Sequence, residues 1–241
     1  DRSPSRGLGD VYKRQVVADP ARRNSSGRIA KLEDLQPPLP DLLDRYNNLV
    51  VKCAPGIDYS EFDGHVEVVS VDGGVKETCL YSPGIVGRGR RAVVMGASSV
   101  KETVTSDEPE TDRVGAVGRY IVDPDGAIVR AGLVRQYAAR HGLWQLDPHI
   151  AYLTGDELPT GVRGFEVVEE VPLKKARSAL VGLGAKSVEI LVRGVNVDPD
   201  ELRKKWKLKN SSGEAYSVVV TRIGEGGAAK GMAFICRPAF S

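Results

Sequence analysis

Short apolar runs that end at turn-forming residues are the feature that most constrains the fold of this chain. The runs VVA at 16–18, LVVKC at 49–53 and HVEVVSV at 65–71 have the length and β-branched composition of buried strands. An amphipathic stretch over 39–46 follows two prolines and is typical of a short helix. Strands that alternate with helices predict βαβ units on a mostly parallel sheet, and therefore an α/β fold class.

The residues after these strands extend the pattern and then interrupt it. A helix is predicted over 74–81 and a further strand over 91–96. Residues 98–115, SSVKETVTSDEPETDRVG, are acidic and polar without an apolar rhythm, so we expect a flexible loop or linker there. A connecting region continues to residue 163 and contains a helix near 128–140.

The last third of the chain, residues 164–241, shows the order β-α-β-α-β-β. Its second helix has a clear start signal, because Asp198 is a good N-cap, Pro199 suits the first helical position and Glu201 follows three residues after the cap. The predicted division is therefore a first domain at 16–97, the connecting region at 98–163 and a second domain at 164–241.

The first fifteen residues show no apolar periodicity. The glycines of GLG at 7–9 lack the preceding strand and following helix that a nucleotide-binding turn requires. The string DVYKRQ resembles the translated inverted-repeat end that transposon-based sequencing libraries attach to DNA fragments. We therefore interpret residues 1–15 as a cloning or assembly scar, with a natural disordered basic arm as the alternative.

Composition excludes several classes of protein. Among the 241 residues, 41% are hydrophobic and 27% are charged, which is ordinary for a soluble chain, and no run approaches the roughly 18 apolar residues of a membrane span. Cys53, Cys79 and Cys236 are widely spaced and odd in number, which argues against a disulfide framework and fits a reducing cytosol. The histidines do not cluster with cysteines, so we expect a cytoplasmic protein without a metal site.

Positive charge is concentrated near the C-terminus. Residues 164–241 carry thirteen Lys or Arg and nine Asp or Glu, whereas residues 98–163 carry seven and ten. A polyanionic partner is therefore most plausible for the last third of the chain.

Several stretches of the sequence resemble a bacterial family of class I S-adenosylmethionine-dependent methyltransferases that carry a C-terminal THUMP-like domain. They are ADPARR, PPLPDLL, VVKCAPGID, VSVDGGVKETCLYSPG, YIVDPDGAIVRAGL, EILVRGVNVDPDELRKKWKL and VVVTRIGEG. The resemblance implies the C-terminal half of a Rossmann-like methyltransferase sheet, followed by a small α/β THUMP-like domain. It also implies S-adenosyl-L-methionine as the cofactor, with the cofactor-binding residues expected upstream of Val16. The chain would then be N-terminally truncated, and inactive or nearly so by itself.

The resemblance also assigns roles to the first strand and the turn after it. Val16–Asp19 would be the fourth strand of the methyltransferase sheet, and the DPAR motif at 19–22 its active-site turn. Because methyl transfer from a sulfonium is an in-line displacement, the protein must hold the reacting groups in line. Asp19 would orient the nucleophile or accept its proton, and Pro20 would stiffen the turn. Arg22 and Arg23 suit phosphate contacts, although they could equally be a solvated surface pair.

The turn departs from one common pattern. Many methyltransferases of base amines carry an aromatic residue after this proline, whereas this chain has Ala21. The turn is more similar to the Asp-Pro-Pro-Arg turn of RNA uridine C5-methyltransferases, which carry Cys-Asn-Pro at the end of the next strand. The corresponding text here is Cys53-Ala54-Pro55, so Cys53 is a candidate nucleophile whose thiolate the neighbouring Lys52 would favour. The alternative is that Cys53 is a small buried hydrophobe.

Two further charged residues are predicted to line the same site. Lys52 stands at a strand end, and Glu77 follows the turn that leaves the third strand. The alternative for this pair is a surface salt bridge of little energetic consequence.

The basic residues of the second domain are the candidates for contact with RNA. THUMP domains are associated with RNA binding, so the resemblance indicates the same partner as the basic surplus. The spacing of Leu202 and Trp206 gives the helix after Asp198 an apolar face, which predicts that Trp206 belongs to the core. The residues predicted to contact phosphate are Arg193, Arg203, Lys204 and Lys207.

Three functions are consistent with these observations. The first is part of a methyltransferase that acts on RNA. The second is a nucleic-acid-binding module without catalysis, in which the first 97 residues only support the basic domain. The third is a methyltransferase for a small molecule or a protein, with the C-terminal domain as a dimerisation element. The RNA species, the modified atom and the oligomeric state do not follow from the sequence.

Overall fold

The computed structural model of the chain describes residues 15–21, 23–24, 27–208, 212–224 and 230–240. The described residues form two compact units. The first unit comprises those within Asp1–Glu108 and Asp125–Gln136, and the second those within Pro109–Pro124 and Tyr137–Ser241.

The strands and helices are numbered in chain order. The strands are β1 Val16–Ala18, β2 Arg23–Asn24, β3 Gly27–Arg28, β4 Leu49–Cys53, β5 His65–Val71, β6 Gly74–Tyr81, β7 Gly89–Met95, β8 Val100–Thr105, β9 Tyr120–Val122, β10 Trp144–Gln145, β11 Leu153–Gly155, β12 Arg163–Pro172, β13 Ser187–Arg193, β14 Ala215–Ile223 and β15 Lys230–Phe240. The α-helices are α1 Leu39–Arg45, α2 Pro83–Val86, α3 Gly126–Arg130, α4 Val134–Arg140, α5 Ala176–Gly182 and α6 Pro199–Trp206. Two 3₁₀ turns lie at Leu32–Asp34 and Leu173–Lys175.

The main sheet of the first unit is mixed rather than mostly parallel. Its strand order is β1-β4-β6-β5-β7-β8. The β1–β4 and β5–β7 pairs are parallel, whereas β6 and β8 are antiparallel to their neighbours. The expectation of a mostly parallel sheet was therefore wrong.

The main cause of that error is residues 74–81, which form strand β6 and not the predicted helix. Asp72 and Gly73 link β5 to β6 as a two-residue hairpin loop with φ of 51° and 77°. An Asp-Gly pair with positive φ at both positions is the preferred chemistry of a tight hairpin turn. Lys76 and Glu77 suit a helix by intrinsic propensity, but the turn and the pairing with β4 and β5 decide the structure.

The loop expected over 98–115 also contains a strand. Residues Val100–Thr105 form β8, which pairs with β7 at the edge of the sheet, so the expectation was wrong for this segment. Only Val104 is fully buried in β8. Edge strands commonly carry charged and polar residues, which explains why the apolar rhythm is missing here.

The second unit is built on a seven-stranded sheet with the order β10-β11-β9-β12-β15-β14-β13. The predicted order β-α-β-α-β-β is confirmed over β12, α5, β13, α6, β14 and β15. Asp198 caps α6 as predicted, because its carboxylate accepts hydrogen bonds from the backbone N–H groups of Asp200 at 2.7 Å and Glu201 at 3.0 Å. The single helix expected near 128–140 is instead two helices, α3 and α4, separated at Gly132, which has a φ of 68°.

Apolar side chains fill both faces of the second sheet. One cluster includes Trp206, which is 4% exposed and thus belongs to the core as predicted. The other surrounds Phe234 and Phe165. Among the described residues, no helix is long and apolar enough to cross a membrane, and no three His, Cys, Asp or Glu side chains are placed to hold a metal ion.

Candidate functional site

The candidate site of the first unit lies where β1 and β4 end. These strands are parallel neighbours, with Ala18 opposite Val51, so the residues that follow them lie at one edge of the sheet. Asp19 is exposed at this edge, whereas Pro20 is buried beside it. Arg22 lies outside the described residues, and Arg23 is exposed on β2.

The segments that follow β1 and β4 are connected to each other. The backbone N–H of Asp58 donates to the carbonyl oxygen of Ala30 at 2.7 Å. The backbones of Lys31 and Asp58 also pair as an isolated parallel β-bridge. Ile29 and Ile57 are 3% and 1% exposed beside this connection. The chain near the predicted active-site turn is therefore anchored by buried side chains as well as by backbone hydrogen bonds.

Lys52 and Glu77 form a partly exposed ion pair, as in the alternative given for them above, and their role in lining a site stays a prediction. Lys52 Nζ lies 3.1 Å from Glu77 Oε2, and the two side chains are 39% and 30% exposed. Their strands β4 and β6 are antiparallel neighbours, which places Glu77 near the end of β4. A partly exposed ion pair of this kind contributes little to stability. Both charged groups lie close to solvent at the strand-end edge.

Cys53 faces away from Lys52. Leu49, Val51 and Cys53 form the buried face of β4, and Cys53 is 1% exposed. Successive side chains of a strand point to opposite faces of the sheet. The argument that the Lys52 ammonium favours a Cys53 thiolate is therefore wrong, because adjacency in sequence separates the two groups in space.

The cysteine opposite Lys52 is Cys79 on β6. Burial, and then the negative charges of Glu77 and Glu67, raise the pKa of the Cys79 thiol from 9.0 to about 11. This thiol is therefore protonated near neutral pH and is not an activated nucleophile.

A charged row that the sequence analysis missed crosses the same face of the sheet. Glu67 on β5 forms an ion pair with Arg91 on β7 and accepts a hydrogen bond from the Tyr81 hydroxyl at 3.4 Å. Burial and the neighbouring Glu67 raise the pKa of Tyr81 to about 12. The alternation in HVEVVSV indicates that Glu67 lies on the less buried face, but its partners come from other strands and cannot be read locally.

A cavity of about 610 Å³ opens beside the loops of the first unit. Its lining includes Lys31 and Asp58 of the bridged segment, together with Leu39, Phe62 and Asp63. A hydrogen bond donated by the backbone N–H of Ser60 lowers the pKa of the Asp58 carboxyl. None of the described residues predicted to be catalytic lines this cavity.

We expect the three thiols of the native protein to react slowly with Ellman's reagent at pH 8. Cys53, Cys79 and Cys236 are all buried, and burial also raises the pKa of Cys236 to about 12. Each unit of pKa above its ordinary value lowers the thiolate fraction about tenfold. After unfolding in guanidinium chloride, all three thiols should react rapidly. Fast labelling of the native protein that peptide mass spectrometry assigns to Cys53 would support the nucleophile hypothesis.

The basic residues predicted in the second unit have different surroundings. Arg193 forms an ion pair with Asp123 at 2.7 Å and lies 5.2 Å from the Tyr152 ring centroid. Arg203 is paired with Asp200 one turn away on α6. Lys204 and Lys207 are exposed. The structure therefore places three of these cations on or next to α6 and Arg193 in a separate ion pair.

One family model matches part of the second unit. Residues 162–238 match the family model described as THUMP domain-like. Over these residues the chain is similar to a THUMP domain. The expected fold class, an α/β sheet followed by a small THUMP-like domain, is thereby confirmed.

Relatives extend the comparison over most of the chain. It is 51% identical to a protein of Mycobacterium tuberculosis strain CDC 1551 and to its counterpart in strain H37Rv, both named as uncharacterised S-adenosylmethionine-dependent methyltransferases. Each alignment covers 234 residues, 92% of this chain and 64% of the relative. The chain thus spans just under two thirds of the length of these relatives.

A solved structure also has a similar fold. It is a protein of Porphyromonas gingivalis W83 described provisionally as a methyltransferase, with a TM-score of 0.68 and 23% identity. The match covers 94% of this chain and 60% of that protein. At this identity the likeness concerns the fold alone.

Proposed function

We propose that this chain is part of an S-adenosylmethionine-dependent methyltransferase that acts on RNA. The observation that carries the proposal is the 51% identity to the two mycobacterial proteins over 92% of the chain. The shared fold of the Porphyromonas protein is consistent with it. RNA as the substrate is supported by the basic surplus of residues 164–241 and by the THUMP-like match.

The described residues do not by themselves fit a complete S-adenosylmethionine site. A nucleotide-like ligand is commonly held where a strand passes through a glycine-rich turn into a helix N-terminus. Among the described residues, no strand is followed by a turn with two glycines and then a helix. We therefore assign no residue to the cofactor, and we propose that this chain alone transfers methyl groups weakly or not at all.

The strand-end edge is the proposed place where the substrate group is held. Asp19 is exposed there and can accept a hydrogen bond or a proton from an attacking N–H or O–H group. Pro20 restricts the backbone that carries it, and the buried contacts of Ile29 and Ile57 hold the following segment. Arg22 and Arg23 are proposed to contact a substrate phosphate next to this turn, and Lys52 and Glu77 to line the site.

A segment exchange tests the proposal. In the mycobacterial protein, the segment that matches this chain is replaced by residues 16–240, and methyl transfer is measured with tritiated S-adenosylmethionine. The RNA, protein and small-molecule fractions of a cell extract are offered separately. We expect the chimera to label RNA, and this chain alone to give less than a tenth of that signal.

The other outcomes have distinct meanings. Label in protein or in small molecules would overturn the choice of RNA and support a different methyl acceptor. An inactive chimera that still binds RNA, beside an active parent protein, would favour the nucleic-acid-binding module without catalysis.

A further inference from the structure

A groove with a cationic rim and an apolar floor lies in the second unit. It is formed by the end of β12, the 3₁₀ turn after it, α5, α6 and the start of β15. Its volume is about 830 Å³, within the roughly 300–1,000 Å³ of ordinary ligand sites. The lining residues are Pro172, Leu173, Lys174, Arg177, Val197, Leu202, Lys205, Trp206, Lys230 and Gly231.

The charge of this lining has a single sign. Lys174, Arg177, Lys205 and Lys230 are cationic, and none of the ten lining residues is acidic. Arg177 Nε donates a hydrogen bond to the Trp206 carbonyl oxygen at 2.9 Å, which holds this guanidinium against the end of α6. An anionic occupant would therefore meet complementary charge from three separate parts of the chain.

The floor of the groove is apolar. Leu173, Val197 and Leu202 are partly buried against the core cluster, and Trp206 closes the floor with 4% exposure. Apolar surface beside cations matches the chemistry of an unpaired nucleotide, whose base has an apolar face and whose phosphate is charged. A duplex keeps its bases stacked inside, so it presents mainly phosphate and sugar to such a surface.

Helix α6 presents two different cationic faces. Leu202, Lys205 and Trp206 are spaced by three and four residues and line the groove, whereas Arg203, Lys204 and Lys207 do not line it. We propose that the groove binds a single-stranded segment of RNA, with Lys174, Lys205 and Lys230 contacting its phosphates. This inference rests on the proposed function and moves the main RNA contacts away from the outer face of α6, where the sequence placed them.

Two matched triple variants of the full chain test this assignment. Lys174→Ala, Lys205→Ala and Lys230→Ala remove three groove charges, and Arg203→Ala, Lys204→Ala and Lys207→Ala remove three charges from the outer face. The probes are a fluorescein-labelled single-stranded 12-nucleotide RNA and a duplex of the same length, titrated by fluorescence anisotropy at several salt concentrations. Thermal unfolding of each variant verifies that it is folded.

We expect the groove variant to raise the Kd for the single strand about tenfold or more at 0.1 M salt. It should also reduce the slope of log K against log salt by about 2, because each phosphate contact on a single strand contributes about 0.7. The outer-face variant should change the Kd by less than about threefold, and the wild-type chain should prefer the single strand to the duplex.

The binding measurements distinguish a wrong groove assignment from a wrong choice of RNA as the partner. If the outer-face variant loses affinity and the groove variant does not, the groove assignment is wrong while RNA binding stands. Equal affinity for duplex and single strand would also overturn the assignment. If the wild-type chain binds neither RNA, both the groove assignment and the choice of RNA as partner fail.

Discussion

Replacement of Phe234 by alanine should lower the free energy of unfolding of the second unit by about 3–5 kcal/mol. Phe234 is 0% exposed on β15, between Glu170 of β12 and Val219 of β14. Truncation leaves a cavity in the cluster that also contains Phe165 and Tyr152. Since domains of this size are stable by only about 5–15 kcal/mol, the loss is a large share of the total.

Tryptophan fluorescence in urea measures this loss selectively. The chain has two tryptophans, Trp144 and Trp206, and both lie in the second unit. Phe240→Ala is the matched control, because Phe240 lies on the same strand but is 76% exposed, and it should change stability by no more than about 0.5 kcal/mol. Equal urea midpoints for the two variants would contradict the packing described for β15.

The same pair of measurements separates folding from binding. Of β15, Lys230 and Gly231 line the groove and Phe234 does not. The Phe234→Ala variant should therefore lose RNA affinity only at urea concentrations that unfold the second unit. The lysine variants of the groove should lose affinity with an unchanged urea midpoint, because their charged groups are not part of the core. Loss of both properties in the lysine variants would indicate a structural role for those side chains.

The elements that could be predicted are those with a strong local pattern. Strands β1, β4 and β5 are apolar runs bounded by turn residues, and α6 has Asp198 as its cap. The error at β6 came from giving more weight to the helix propensity of residues 74–81 than to the Asp72-Gly73 pair before them. That pair is a hairpin signal that the sequence does contain. At β8 no local pattern was available, since an edge strand with one buried side chain reads as a polar loop.

The candidate sites depended on contacts that the sequence does not show. The prediction that β1 is a buried strand was wrong, because Val17 is 75% exposed, whereas β4 has one buried face. The shared strand-end edge could still be predicted, since β1 and β4 were both expected in one parallel sheet and are parallel neighbours. The Glu67–Arg91 ion pair joins β5 to β7, and the groove cations Lys174, Lys205 and Lys230 come from three distant elements. Tertiary structure brings such groups together, whereas a sequence reveals only dense local runs such as RKKWK at 203–207.

In the chimera with the mycobacterial protein, Asp19→Ala should lower the rate of methyl transfer to RNA by about a hundredfold or more. Positioned acids and bases commonly contribute 10²–10⁴-fold to a rate, and removal of a hydrogen bond that aligns the reacting atoms has a comparable effect. Asp19 is exposed directly after β1, so its removal leaves no buried cavity and should leave the thermal midpoint unchanged. Asp44→Ala, an exposed aspartate on α1, is the matched control and should retain full activity.

The asparagine variant distinguishes the two roles proposed for Asp19. Asp19→Asn keeps a side-chain oxygen that can orient the substrate group but cannot accept its proton at neutral pH. If it retains more than about a tenth of the activity, Asp19 acts by orientation, whereas a loss equal to that of alanine indicates a base. If Asp19→Ala itself is as active as the Asp44→Ala control, the turn after β1 does not hold the substrate. In that case a Cys53→Ser variant with abolished transfer would favour the thiol as the reacting group, despite its burial.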